Sequence, residues 1–175
     1  IAKLGFVPNT IASALSSKKT GRAALVLDAN RHAQTVDEIP MQYMIGAINK
    51  AKEKGMDIIT VFFTMIAEMN LEEMTRYFQS QGIEGLVICD LSKEDITLRQ
   101  LVESGKFKSV LIDAPGVGEN TSSIHIDNTR AQYEVAKKFL EGKAYKKILY
   151  LSGKKNGYVS EERLNGMNRL AGELG

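Results

Sequence analysis

Short, almost continuously hydrophobic runs alternate along the chain with longer segments in which hydrophobic residues recur at helical spacing. The runs cover residues 23–27, 58–63, 85–89, 109–112 and 148–151. Uninterrupted hydrophobicity is typical of strands that are covered on both faces, whereas spacings of three and four residues indicate one face of a helix. The alternation predicts βαβ units and therefore an α/β fold with a doubly wound parallel sheet.

The segments between and after these strands carry helix signals at their ends. In the first, the hydrophobic residues from Met41 to Ile48 follow one helical face. Asn70 is a favoured N-cap residue for the second, and Gly82 is a favoured stop. Residues 92–95 resemble a capping box before the third. The five predicted helices begin near residues 41, 71, 93, 128 and 160.

Polar residues directly follow most of the predicted strands. They include residues 28–30, Asp90, Asp113 and the pair Ser152 and Gly153. Open parallel sheets bind ligands outside the carboxyl ends of their strands, and a binding pocket needs a few hydrogen-bonding groups of this kind. These positions, with Asp90 among them, are therefore candidate ligand contacts.

Charge is distributed unevenly along a chain whose composition is ordinary for a globular protein. Of the 175 residues, 43% are hydrophobic and 25% are charged, and the net charge is +2. The first 22 residues, however, carry Lys3, Lys18, Lys19 and Arg22 and no acidic residue. A basic leader on a balanced body indicates a segment that faces nucleic acid, and a solvated basic tail is the alternative.

Cys89 is the one cysteine of the sequence, which excludes an internal disulfide and indicates a reducing compartment such as the cytoplasm. It lies within the apolar run 86–89, where a buried thiol is expected rather than a nucleophile. No apolar run approaches the roughly 20 residues that a membrane span requires. The chain starts at Ile1 without a signal-type leader and ends in a helical pattern, so we expect it to be part of a longer protein.

Enzyme signatures are missing from the sequence. His32 and His125 are far apart, and no spacing typical of a metal site is present. Gly116 and Gly118 neither follow the first strand nor open a helix, so they do not fit a dinucleotide-binding fingerprint. Gly153 stands before a lysine without the earlier glycine of a phosphate-binding loop, and no nucleophile elbow occurs. We therefore predict no catalytic activity, no cofactor and no metal site.

The leader contains a short predicted helix, residues 10–16, which follows Pro8 and Asn9. A helix of two turns is marginal alone in water and needs a partner. Leu15 on such a helix can insert between base steps in the minor groove of DNA. A fraying helix that leads into the first domain is the alternative that these residues leave open.

Residues 4–9, Leu-Gly-Phe-Val-Pro-Asn, with Ile11-Ala12 and Ala14-Leu15 after them, resemble the signature of LacI-type (lactose repressor-like) bacterial transcription regulators. In that family the last helix of a helix-turn-helix head meets a hinge helix at this point. The resemblance continues in order along nearly the whole chain, with family-like motifs at 83–88, 110–113, 126–128, 147–153 and 163–166.

The resemblance implies an allosteric, ligand-responsive, DNA-binding transcription regulator, which in this family is most often a repressor. The implied partners are operator DNA, a small-molecule effector of carbohydrate type and a second copy in a homodimer, with no membrane. The implied fold is periplasmic-binding-protein-like, with the effector in the cleft between two subdomains. The resemblance divides the chain into 1–22 (end of the head, hinge helix and linker), 23–114 (first subdomain) and 115–175 (crossover and start of the second subdomain). Segment 114–123 is the predicted crossing.

The resemblance also assigns DNA contacts to individual residues. The positions that fall on the minor-groove side of the hinge helix are Asn9, Ala12, Leu15 and Ser16, with Leu15 as the intercalating side chain.

Four further positions are implied contacts of the effector. Asp127 and Arg163 fall on effector-contacting positions, while Ile39 and Pro40, before the first helix, fall where the family places side chains against the ligand ring. Asp127 is also suited to cap the helix that begins at Asn128. Arg163 near a helix start opposes the helix dipole, which indicates a partner for its guanidinium group.

The chain departs from the family pattern in places, and two other functions share its architecture. Ala114 follows Asp113 where the family often has arginine, Ala144 and Tyr145 replace a frequent Gly-His pair, and the loop 29–40 is individual. A periplasmic-type sugar-binding protein would have the same fold but no use for a hinge. A flavodoxin-like or nucleotide-binding enzyme would need a glycine-rich loop after the first strand, which residues 28–31 do not supply.

Overall fold

The computed structural model describes residues 21–28, 38–116, 118–143, 145, 147–153 and 155–174. Five strands in these residues form one sheet in the order β2-β1-β3-β4-β5, and every neighbouring pair is parallel. The predicted α/β fold with a doubly wound parallel sheet is therefore confirmed. The strands are β1 (Arg22–Leu27), β2 (Asp57–Phe62), β3 (Gly85–Cys89), β4 (Lys108–Ile112) and β5 (Thr121–Ile124).

Helices lie in the connections from β1 to β4 and follow β5, whereas β4 and β5 are joined by a loop. The five helices predicted to begin near residues 41, 71, 93, 128 and 160 are all present, and the predicted helix 10–16 lies outside the described residues. Asn70 is the predicted N-cap of its helix, and the structure adds a capping box: the Asn70 side chain accepts from the backbone N–H of Glu73, and the Glu73 carboxylate accepts from the N–H of Asn70. The helices in the described residues are α1 (Glu38–Glu53), α2 (Phe63–Ile66), α3 (Leu71–Ser80), α4 (Ile96–Glu103), α5 (Asn128–Leu140) and α6 (Tyr158–Leu174).

Alternate residues of β1 enter two different hydrophobic cores, one on each face of the sheet. Ala24 and Val26 belong to the larger core, which includes residues of α3 and α4. Leu25 and Leu27 belong to the smaller one, against which α1 packs. Because successive side chains of a strand point to opposite faces, a strand between two helical layers needs hydrophobic residues at every position, which explains the unbroken run.

Two strand assignments at the end of the sheet differ from the sequence prediction. Residues 148–151, predicted as a strand, pair with no described strand, and Leu149 and Leu151 are 84% and 82% exposed. Ser152 and Gly153 are consequently not at a strand end. Conversely, residues 121–123 of the predicted crossing 114–123 belong to β5, which pairs with β4. A hydrophobic run forms a strand only beside a partner, whereas β5 is a polar edge strand that has one.

The capping-box-like pattern at 92–95 forms a turn before α4 rather than the predicted cap. The Asp95 carboxylate accepts hydrogen bonds of 2.7 Å from both the backbone N–H and the hydroxyl of Ser92. The Asp95 side chain makes no capping bond to α4, which begins only at Ile96. The polar pairing was correctly expected within this segment, but the helix starts one turn later.

Helices α5 and α6 pack directly on each other around a small core of Tyr133, Ala136 and Leu170. Gly166 permits the close approach. A Cβ atom at that position would overlap the backbone carbonyl oxygen of Thr129 and lie 3.1 Å from the backbone nitrogen of Tyr133. Backbone atoms cannot move aside as a flexible side chain can, so the helix pair requires glycine here.

We expect Gly166→Ala to lower the free energy of unfolding by at least about 2 kcal/mol, because the added methyl group overpacks a backbone-to-backbone contact. Gly172→Ala in the same helix is the matched control, since a Cβ there meets nothing within 4 Å. The control should raise stability by up to about 1 kcal/mol through helix propensity. Urea denaturation of both variants measures the difference, and equal effects would contradict the close packing.

Candidate functional site

The carboxyl edge of the sheet contains the topological switch point, where connections leave two adjacent strands in opposite directions. The chain leaves β1 towards β2 on one side, and leaves β3 towards β4 on the other. Asp28 directly follows β1 and Asp90 directly follows β3. Ligands of open α/β sheets bind in the crevice at this point. The predicted candidate Asp90 therefore lies at the position that the topology favours for a binding site.

Asp90 and Asp113 both turn the chain sharply as it leaves the sheet. Their φ angles are 60° and 57°, in the left-handed region that few residues other than glycine, asparagine and aspartate occupy readily. The backbone N–H of Asp113 donates to the carbonyl oxygen of Ile124 at 2.9 Å, which joins the ends of β4 and β5. Aspartate at these positions therefore serves the turn and also places carboxylate groups on the carboxyl edge.

Negative charge at this edge acts on two neighbouring side chains. The pKa of the Cys89 thiol is raised to about 12, first by burial and then by the charges of Asp90 and Asp113. The pKa of Tyr43, on α1, is raised by burial and by Asp113, Cys89 and Asp90. Cys89 itself is fully buried, so the expectation of a buried thiol is confirmed.

Cys89 should not react with iodoacetamide at pH 8 in the folded protein, and should react fully in guanidinium chloride. The pKa rises from an ordinary 9.0 to about 12 on folding. Folding therefore favours the protonated thiol, and this contribution to stability is complete below pH 9 and declines as the pH rises towards about 12. Urea denaturation of the wild type and of Cys89→Ser across this pH range identifies the part of the pH-dependent stability that belongs to this thiol. Rapid alkylation of the native protein would contradict the raised pKa.

The candidate site has two walls. The first is the carboxyl edge of the sheet with Asp90, and the second is the region where α5 and α6 begin. Asp127 accepts a 2.9 Å hydrogen bond from the backbone N–H of Arg130, so its role as helix cap is confirmed. Asn128, next to it, is buried and accepts a 3.2 Å hydrogen bond from Nε of Arg163. The amide of Asn128 also donates to the Glu162 carboxylate at 3.1 Å. The structure thus places Asp127 next to the buried amide of Asn128, and Arg163 is hydrogen-bonded to that amide.

A set of polar contacts ties the loop after β3 to the start of α6, and we call this set the 93–161 clasp. The backbone N–H of Lys93 donates to the carbonyl oxygen of Asn156 at 3.2 Å, and the Asn156 side chain donates to the Glu94 carboxylate at 2.7 Å. Lys93 also forms an ion pair with Glu161 and lies over the ring of Tyr158. The clasp keeps the edge that carries Asp90 beside the helix that carries Arg163.

The remaining predicted site residues are described only in part or not at all. Ile39 and Pro40 lie within the first turn of α1 rather than before it, because α1 begins at Glu38. The predicted hinge contacts Asn9, Ala12, Leu15 and Ser16 lie outside the described residues.

Sequence reasoning missed three residues of this region. Asn128 was interpreted only as the start of a helix, and Glu162 was assigned no role in the site. Tyr43 lies in α1 between the residues of the hydrophobic pattern and was assigned no role. A sequence shows an amide or a carboxylate but not its burial, so the buried hydrogen bonds of Asn128 left no signal beyond the Asp-Asn pair itself.

The described residues contain neither a cluster of metal ligands nor a helix that could span a membrane. No group of histidine, cysteine, aspartate or glutamate side chains in the described part could hold a metal ion. No helix among the residues 38–53, 63–66, 71–80, 96–103, 128–140 and 158–174 is long and apolar enough to cross a membrane.

A curated protein resembles the chain over almost its whole length. The HTH-type transcriptional regulator CelR of Thermobifida fusca is 24% identical over 168 residues, which are 95% of this chain and 48% of that protein. No protein-family model matches the chain. The chain thus spans about half the length of the curated relative it matches.

Solved structures of regulators share the fold. The CelR–cellobiose complex superposes with a TM-score of 0.70 at 22% identity and covers 99% of this chain and 50% of its own. The Lac repressor bound to ONPG gives 0.65 at 16% identity and covers 99% and 51%. CcpA of Lactococcus lactis gives 0.70 at 22% identity, with 89% and 54% covered.

These matched proteins are transcription regulators by name, and none of the four names describes an enzyme. Each structure is matched over about half of its chain. The fold of this chain is shared with these structures. The resemblance to LacI-type transcription regulators that the sequence motifs predict is therefore confirmed.

Proposed function

We propose that this chain is part of the ligand-sensing domain of a DNA-binding transcription regulator and that a small molecule binds between its two candidate walls. One observation carries the proposal. The switch point of the sheet, with Asp28 and Asp90, is held by the 93–161 clasp beside the helix start that bears Arg163. A cleft at a switch point with converging polar groups is the usual form of a small-molecule site in an α/β protein.

The domain boundaries given above remain part of the proposal: 1–22, 23–114 and 115–175. An apolar groove supports the proposal that the second subdomain contains more of the protein than the described residues. Its volume is about 470 Å³, and it is lined by residues of α5, by residues 145 and 147–150, and by Met167 of α6. Val135 and Phe139 in this groove are 68% and 59% exposed, more than a finished core would allow. The proposed occupant is the remaining sheet of the second subdomain, supplied by sequence beyond this chain.

We propose a sugar or sugar-like effector, contacted by Asp90, Asp127, Arg163, Ile39 and Pro40. A sugar hydroxyl both donates and accepts hydrogen bonds. The carboxylates of Asp90 and Asp127 can accept, and the guanidinium of Arg163 can donate two parallel bonds. The similar regulator CelR is known as a complex with cellobiose, which makes that disaccharide the first probe.

Arg163→Ala should weaken saccharide binding at least about tenfold, because a charged hydrogen-bond donor is removed. The experiment titrates the complete gene product that contains this chain with cellobiose and a panel of mono- and disaccharides by calorimetry. Arg130→Ala is the matched control, since Arg130 is an exposed arginine in the first turn of α5. Unchanged affinity of Arg163→Ala would contradict the proposed contact between Arg163 and the effector. A wild type that binds no saccharide would contradict the proposed effector class.

Effector binding is proposed to act by changing how the two subdomains are held. A ligand shifts such an equilibrium only by the difference in its affinity for the two arrangements. Contacts to Asp90 on one wall and to Arg163 on the other are made together only when the walls are close. The proposed hinge helix, residues 10–16, is short enough to be marginal alone, so a small movement of its anchor would change its stability.

The proposed DNA contacts, Asn9, Ala12, Leu15 and Ser16, require two copies, because paired hinge helices match a two-fold operator. A similar structure is the Lac repressor dimer bound to operator. The homodimer is supported by α1, on which Met41, Ile45 and Ile48 are 39%, 51% and 45% exposed along one stripe. The stripe lies on the helix that follows β1 and precedes the edge strand β2. We propose that the dimer represses transcription in the cytoplasm.

Leu15→Ala should weaken operator binding while leaving saccharide affinity unchanged, because it removes only the proposed intercalating side chain. The DNA site is first selected from a random pool with the wild type, and gel shifts are then compared at one fixed salt concentration. Ser13→Ala, in the same short segment but outside the proposed contacts, is the control. Equal operator affinity of Leu15→Ala and the wild type would contradict the proposed intercalation of Leu15.

A periplasmic-type sugar-binding protein is the competing function, since it shares the fold. The gene sequence upstream of Ile1 separates the two. A helix-turn-helix head there supports the regulator, whereas a cleavable signal sequence supports the binding protein.

A further inference from the structure

Asn128 uses its whole side-chain amide inside the protein. It is 2% exposed and lies at the first position of α5. Its nitrogen donates to the carbonyl oxygen of Ile126 at 3.2 Å and to the Glu162 carboxylate at 3.1 Å, and its oxygen accepts from Nε of Arg163 at 3.2 Å. An amide has two N–H donors and one carbonyl acceptor, so each group has a partner.

The partners allow only one orientation of this amide. A backbone carbonyl and an ionised carboxylate can only accept, so they must face the amide nitrogen. The nitrogen atoms of a guanidinium can only donate, so Arg163 must face the amide oxygen. A rotation of the amide by half a turn would set two donors against each other at Arg163 and two acceptors against each other at Glu162. Glu162 therefore determines which atom of Asn128 meets Arg163.

We infer that Asn128, oriented by Glu162, is a positioning residue that fixes the guanidinium of Arg163 through Nε and presents its two terminal nitrogens to the ligand. The inference rests on the proposed role of Arg163 in effector binding. In the described part of the chain, those two nitrogens have no hydrogen-bond or ion-pair partner. Held in this way, they match two neighbouring oxygen acceptors in one plane, such as adjacent hydroxyl groups.

The buried hydrogen bonds of Asn128 are not needed merely to hold α5 and α6 together, because other contacts join the two helices. The hydroxyl of Thr129 donates to the backbone carbonyl oxygen of Glu162 at 3.1 Å, and this bond also joins α5 to α6. The close approach at Gly166 joins them again one turn later. Thr129→Val removes the first of these ties without touching Arg163, so it is a matched control for a merely structural effect.

The test measures the Nε–H proton of Arg163 by NMR in the complete gene product labelled with ¹⁵N-arginine, without ligand. In the wild type this proton should exchange with water at least about tenfold more slowly than that of the exposed Arg130, because it is hydrogen-bonded. Asn128→Ala and Glu162→Ala should both remove the protection, and Thr129→Val should keep it. The second variant keeps the test decisive if Asn128→Ala does not fold.

Two outcomes would overturn the inference: protection that persists in both Asn128→Ala and Glu162→Ala, or protection that Thr129→Val removes equally. The same variants titrated with cellobiose give a separate result. If Asn128→Ala frees the proton but Arg163→Ala binds cellobiose as the wild type does, Asn128 positions Arg163 as inferred and the proposed effector role of Arg163 fails. If both variants weaken binding about tenfold and Thr129→Val does not, both proposals stand.

Discussion

Parallel pairing on both sides of β1 is the constraint on which the rest of the structure depends. β1 pairs with β2 along one edge and with β3 along the other, and its inner residues are buried on both faces. Because all five strands of the sheet run the same way, every connection must return past the sheet as a crossover, and all strand ends of one kind meet at one edge. The acidic carboxyl edge is therefore a consequence of the pairing rather than a separate feature.

The two candidate walls differ in how they are held. The sheet edge is fixed by backbone hydrogen bonds and by two cores, so Asp90 and Asp113 have little freedom. The α5–α6 wall depends on a contact between two helices, a buried amide at Asn128 and the glycine at 166. The 93–161 clasp between the walls is largely exposed and polar. Such contacts contribute little stability each, which suits a junction whose two sides are proposed to move.

The sequence predicted the sheet and its helices because each has a periodic hydrophobic pattern or a capping residue that acts locally. It failed at residues 121–124 and 148–151 because strand formation there depends on a neighbour that no local pattern reveals. The residues of the candidate site were likewise predicted only in part. Asp90, Asp127 and Arg163 followed from strand ends and from motifs, whereas Asn128 and Glu162 needed burial and hydrogen-bond partners, which only the folded chain supplies.

The left-handed turns at Asp90 and Asp113 mark the boundary between positions where a substitution disturbs the cores and positions where it does not. Residues inside the strands face two cores, so replacing them disturbs packing on one face or the other. Residues immediately beyond the strand ends lie in turns, so their replacement leaves both cores intact. Such a sheet can therefore keep its shape while its ligand changes.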